Sequence, residues 1–311
     1  MRLTSRENRF GTQDRTSALP GGRRGGFTLI ELLVVLGIIS VLMAALLPAL
    51  GKVRRQARSI VSVGNLRQIT AAVDCFAGDN AGTYPPSVAT IGFGDDWNWQ
   101  EPTMLTGYLK RTPALQRSMS AYLHSYIGEA RTMFCPNAPL RYKYMDRAWQ
   151  AGDDWDNPDT VAKPDALCGV YCFYWNYVGY LGEQRGLFRG PRGPVRGTGE
   201  STIIVTDYFG YDHWRSLNAY GSCERFRGAQ VTEGTNISSA YWSCPRGAAG
   251  AAPDWDRLRV TLHAGYVDGH IEAYSPSDAV PMAVIRDRQS NEPYPRGMGP
   301  GLFYVPRTGL R

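Results

Sequence analysis

Gly25-Gly26-Phe27-Thr28-Leu29-Ile30-Glu31, followed by the apolar run from Leu32 to Leu50, is the stretch on which the fold of this chain turns. It sets a small-residue junction, one carboxylate and a long hydrophobic segment in immediate succession. No charged residue occurs from Leu32 to Gly51, and about twenty residues at a 1.5 Å rise span roughly 30 Å, the hydrocarbon thickness of a bilayer. Leu, Val, Ile, Met and Ala dominate the run. In lipid every backbone polar group must be satisfied internally, so the run is expected to be a helix. Pro48 lies near its far end, where a missing N–H loosens or bends a helix.

Glu31 is the exception within this segment. A carboxylate in a hydrophobic span costs a few kcal/mol on insertion scales, and such residues are usually paired. If the chain is cut between Gly26 and Phe27, the new α-amino group begins the helix and Glu31 lies one turn along it. That amine can pair with its own Glu31 or with that of a neighbouring copy. Alternatively, Glu31 sits at headgroup depth beside the helix N-terminus, where negative charge is favourable.

Gly26 followed by Phe-Thr-Leu-Ile-Glu-Leu-Leu-Val-Val-Leu-Gly-Ile-Ile-Ser-Val-Leu resembles the N-terminal signal of the type IV pilin and type II secretion pseudopilin superfamily, densely from Gly26 to about Pro48. The resemblance implies that a prepilin peptidase cuts after Gly26 and methylates Phe27, and that Glu31 aligns subunits in a filament. It also implies a single-pass protein of a bacterial inner membrane, with its head in the periplasm or outside the cell. Residues 1–26 would be a basic leader removed on maturation, longer than the short leader usual in the family. A secretory signal peptide also places basic residues before an apolar run, but its cut follows that run, whereas here the small residues precede it.

Composition is that of an ordinary globular chain with one such segment added: 43% of the 311 residues are hydrophobic and 20% charged. Without leader and long helix, roughly 230 residues remain, enough for one domain with a real core. The net charge of +6 owes much to the leader, where Arg2, Arg6, Arg9, Arg15, Arg23 and Arg24 outnumber Glu7 and Asp14. Little basic excess is left for a nucleic-acid surface, and no nucleic-acid partner is expected. Lys52, Arg54, Arg55 and Arg58 follow the apolar run, so basic residues flank it on both sides and the positive-inside rule does not decide orientation.

Beyond the run, Val53, Ala57, Ile60, Val61, Gly64, Ile69, Val73 and Phe76 keep helical spacing. The spacing predicts one helix over 27–79, spanning the membrane at about 29–50, ending at Gly78-Asp79-Asn80 and packing its second half under a head. Gly64-Asn65-Leu66-Arg67-Gln68-Ile69 resembles a segment of large pseudopilin-like proteins. The head, residues 80–311, is predicted to be loop-rich, with a helical piece between Pro113 and Ile127. Phe134-Cys135-Pro136 and Tyr171 to Tyr177 read as short extended pieces, and Ser201 to Thr206 as a strand. Arg185 to Gly199 reads as an exposed loop, and Ser275 to Arg311 as a wrapping or loose tail. A hairpin at about 258–274 turns either at Ala264-Gly265 or at Asp268-Gly269. The fold class predicted is α+β, a long N-terminal helix on a head with a small antiparallel sheet.

Candidate sites in the head are few. His263 with Asp268, Gly269 and His270 resembles the C-terminal His-to-Asp-Gly signature of a subset of prepilin-like proteins, Asp268-Gly269 being the closer match. Such groups on one hairpin can shuttle protons, or simply pin a turn; with no nucleophile motif beside them the structural role is preferred, and no enzymatic activity is expected. Asp153, Asp154, Asp156 and Asp159 offer hard oxygens of the kind calcium needs, but not at EF-hand spacing, so no cofactor is expected. Cys75, Cys135, Cys168, Cys172, Cys223 and Cys244 all fall on the side expected to be oxidising, and their even number suggests disulfides with fifteen full connectivities open. Trp97, Trp99, Trp155 and Trp242 suit core packing or a sugar platform. The function expected is that of a structural pilin-like subunit partnering the peptidase, other such subunits and its own copies. The alternative is a membrane-anchored carbohydrate-binding or hydrolytic domain.

Overall fold

The computed structural model describes residues 26–89, 102–106, 118–136, 146, 149–150, 152, 169–181, 186–211, 219–221, 261–284 and 302–310. The chain is α+β. Helix α1, Leu29–Asp79, comprises 51 residues and continues through Pro48, where the proline ring leaves the carbonyl four residues back without its donor. Two compact units divide the chain, Met1–Gly51 and Lys52–Arg311. In the first, every large apolar side chain from Leu29 to Leu50 is exposed, and the helix is long and apolar enough to cross a membrane.

In the second unit the buried stripe of α1 begins at Ser62 and continues through Asn65, Leu66, Ile69, Val73 and Ala77. These recur every three or four residues, as a helix face requires. Fully burying Leu66, Ile69 and Val73 contributes about 1.5–3 kcal/mol each. Val53, Ala57, Ile60 and Val61, expected on this stripe, are exposed instead. Arg54 and Arg58 occupy its line. The helix ends as expected: Ala81 is left-handed at φ 53° and the Gly82 N–H donates to the Ala77 carbonyl at 2.8 Å, the pattern that satisfies the last open carbonyls of a helix.

Two antiparallel sheets follow. The four-stranded sheet runs β1-β4-β7-β8, from β1 (Tyr171–Phe173), β4 (Ile203–Asp207), β7 (Leu262–Tyr266) and β8 (Ile271–Tyr274). The other has the order β3-β2-β9-β10-β5-β6, from β2 (Val178–Tyr180), β3 (Leu187–Arg189), β5 (Phe209–Tyr211), β6 (Ala219–Gly221), β9 (Ala279–Val284) and β10 (Leu302–Pro306). The β-branched Ile203-Ile204-Val205 is buried throughout, as a central strand demands.

Several local expectations are corrected. The stretch expected as a tail supplies β9 and β10, which occupy the middle of the six-stranded sheet. Pro281 is opposite Tyr304 of β10, whereas β2 pairs with β9 only at Ala283 and Val284 and leaves Pro281 outside that ladder. The loop from Arg185 contains β3 and is pinned at its end by buried Glu200, whose carboxylate accepts from the Gly197 N–H at 3.1 Å and pairs with the Arg192 guanidinium. Burial pushes the Glu200 carboxyl up, but Arg192 and these N–H groups outweigh it and hold it below its ordinary range. Phe134 is extended, as expected, and follows a 3-10 turn at Ala130–Met133. The helical piece expected before Ile127 is α2, Met119–Leu123. The hairpin turns at Asp268-Gly269, while Ala264 and Gly265 lie inside β7.

Candidate functional site

The N-terminal site is built on the first turn of α1. Thr28 precedes the helix, and its N–H and hydroxyl both donate to Glu31 Oε2 at 2.8 Å. In return the Glu31 N–H donates to the Thr28 hydroxyl at 3.3 Å. This reciprocal pair is a capping box, which satisfies two of the N–H groups a helix start leaves open. The Thr-x-x-Glu spacing is its signature in sequence, so Thr28 was legible as a partner of Glu31 besides the amine and the helix N-terminus considered for it. Oε1 of Glu31 has no bond among the described residues. Gly26 and Phe27 are exposed ahead of the helix, Phe27 at 82%.

In the head, the groups expected as one cluster separate into two pairs. His263 lies on β7 and meets Asp207 at the end of β4, a residue the sequence reading did not single out. Asp207 Oδ2 accepts from the His263 N–H at 2.9 Å and lies 3.0 Å from His263 Nδ1. Asp207 is completely buried and His263 nearly so. A buried carboxylate is costly unless charges or hydrogen bonds meet it, and here two donors on one residue do so. Across the ladder Asp207 faces Tyr171, whose hydroxyl shares a 2.7 Å hydrogen bond with Ser62 and accepts from Asn65 at 3.4 Å. Asn65 also donates to the Phe134 carbonyl at 3.0 Å. The Gly64-to-Ile69 segment thus supplies a polar clasp between α1 and the head.

His270 pairs instead with Asp268, two residues before it, through both its ring and its N–H. Its ring stacks on Tyr266 with centroids 4.4 Å apart. Slight burial pushes the Asp268 carboxyl up, and the His270 contacts outweigh it to leave it lowered. Gly269 adopts φ +82° at the tip, a conformation glycine takes without strain. This is the architecture of a pinned turn. No group of three potential metal ligands occurs among the described residues.

Of the cysteines, Cys135 is disulfide-bonded, while exposed Cys75 and buried Cys172 carry thiols. The full three-bridge pairing allowed by the count is therefore not what forms. Cys168, Cys223 and Cys244 lie outside the described residues, as do Asp153, Asp154, Asp156 and Asp159 and the four tryptophans considered for sugar binding.

Residues 22–47 match the family described as the prokaryotic N-terminal methylation motif. The type II secretion system core protein G of Pseudomonas aeruginosa is 32% identical over 99 residues, which cover 29% of this chain and 66% of that protein. The chain thus spans just under two thirds of that relative's length. No solved structure matches.

Proposed function

Because this chain belongs to the type IV pilin and type II secretion pseudopilin superfamily, we propose that it is a structural subunit of a type II secretion-like or pilus-like filament, stored in a bacterial inner membrane. A prepilin peptidase removes residues 1–26 and methylates Phe27. The leader faces the cytoplasm and the head the opposite side. The reading rests above all on one observation: every large apolar side chain from Leu29 to Leu50 stands exposed on a helix that the methylation motif opens. Such a surface requires lipid or other helices to cover it.

Assembly follows from charge. Cleavage after Gly26 exposes an amine one turn from Glu31. Thr28 occupies Oε2, leaving Oε1 to accept the Phe27 amine of a neighbouring copy in the apolar bundle. There a paired charge is tolerable and a lone one is not. In this scheme the chain is a substrate of the peptidase and does no catalysis itself.

The test is Glu31→Ala in the native host. Cleavage after Gly26 should proceed nearly as in the wild type, while incorporation into filaments falls at least tenfold. Normal incorporation of this variant would remove the assembly role of the carboxylate.

A further inference from the structure

Between Glu31 and Asp74 the chain has no acidic residue, yet it places Lys52, Arg54, Arg55, Arg58 and Arg67 there. Lys52, Arg54, Arg58 and Arg67 are all exposed, and none makes an ion pair or hydrogen bond among the described residues. Their placement on α1 is uneven. Arg54, Arg58, Ser62, Asn65, Ile69 and Ala72 follow one another at spacings of four or three, so they share one helix stripe. From Ser62 onward that stripe is buried by the head, whereas Arg54 and Arg58 continue it uncovered.

Lys52 begins one residue after the uncharged run ends at Gly51. From Lys52 to Arg58 the helix rises about 9 Å, and the headgroup layer on one side of a bilayer is about 5–8 Å thick. Long basic side chains can close the small difference by bending toward phosphate depth. Guanidinium groups match phosphate oxygens in bidentate geometry. A second copy lying alongside in the same register offers the collar only its own cations, since its helix too lacks an acid until Asp74, about 24 Å beyond Arg58.

We propose that Lys52, Arg54 and Arg58 form a collar that binds the phosphate groups of anionic phospholipids in the leaflet from which the head emerges. The collar sets the depth at which the subunit waits in the membrane, and its lipid phosphates screen the repulsion between neighbouring copies. This rests on residues 29–50 being the membrane segment.

The test uses the full chain. Flotation with phosphatidylcholine vesicles first checks the membrane segment itself. Native mass spectrometry from micelles containing equal phosphatidylglycerol and phosphatidylcholine then measures lipid retention. The wild type should retain phosphatidylglycerol at least about fivefold over phosphatidylcholine, the factor one interfacial cation supplies. Lys52→Gln/Arg54→Gln/Arg58→Gln should bring the ratio to about one, and Arg67→Gln, about 13 Å further along the helix, should leave it unchanged. A chain that floats yet shows no preference overturns the collar alone, and one that does not float overturns the membrane reading as well. An equal loss in Arg67→Gln would reduce the effect to net charge and overturn the collar. So would a fall in dimer content in the triple variant with an unchanged lipid ratio, which would assign these residues to a second copy.

Discussion

Asp207 and Glu31 are both carboxylates in places that disfavour charge, and each is met by donors within its own neighbourhood. Glu31 uses Thr28, three residues away; Asp207 uses His263, 56 residues away. That difference explains what could be read ahead of the structure. The Thr-x-x-Glu box is local and written in the sequence. The Asp207–His263 pair exists only because β4 and β7 become neighbours, and β4 announced itself by Ile203-Ile204-Val205 rather than by the aspartate that ends it. His263→Ala would take the imidazole away from buried Asp207, a loss of about 3 kcal/mol. Asp207→Asn alone should also destabilise, but the double variant should cost clearly less than the sum of the two, because the second change removes a partner already missing. Urea unfolding of the four proteins measures this, and strict additivity would show that the pair is not coupled.

At the scale of elements, the contact between α1 and the four-stranded sheet is set by a glycine. A Cβ on Gly265 would stand 2.7 Å from Thr70 Oγ1, 3.0 Å from Ile271 Cδ1 and 3.1 Å from Val205 Cγ1. Helix and strand can approach this closely only where no side chain intervenes. Gly265→Ala should therefore lower the midpoint of thermal unfolding, with a destabilisation of about 1–3 kcal/mol. Adding Thr70→Ala should restore part of it by removing the nearest atom, though Val205 and Ile271 remain. A Gly265→Ala protein as stable as the wild type would mean that α1 is not seated on β7 at this point. The same residue explains why the hairpin turn admitted two readings in sequence. Ala264-Gly265 looks like a turn because glycine often marks one, yet here glycine serves a close approach, and Asp268-Gly269 makes the turn.

Across the whole molecule, periodicity recovered the long helix and its end at Asp79, because 3.6-residue spacing and a glycine-asparagine stop are local signals. It misplaced where the buried stripe begins, since Val53, Ile60 and Val61 are apolar but the head does not reach them. The last strands were lost for a different reason. β9 holds a proline and β10 lies between stretches rich in glycine and arginine, so neither reads as a strand until its partner is known. Strand pairing between distant segments is where sequence patterns carry least, and the head is made mostly of such pairing. The N-terminal part is the opposite case, since small-residue junction, carboxylate and apolar run are contiguous from Gly26 to Leu50.

On the function proposed, the mature protein keeps the exposed apolar helix and begins at Phe27, where its amine can meet a neighbour's Glu31. N-terminal mass spectrometry of the protein taken from its native membrane tests this most directly. The expected result is a first residue of Phe27 carrying one methyl group, with Glu31 and the run to Leu50 intact behind it. A mature chain that starts beyond Leu50, or one that still carries residues 1–26, would contradict it.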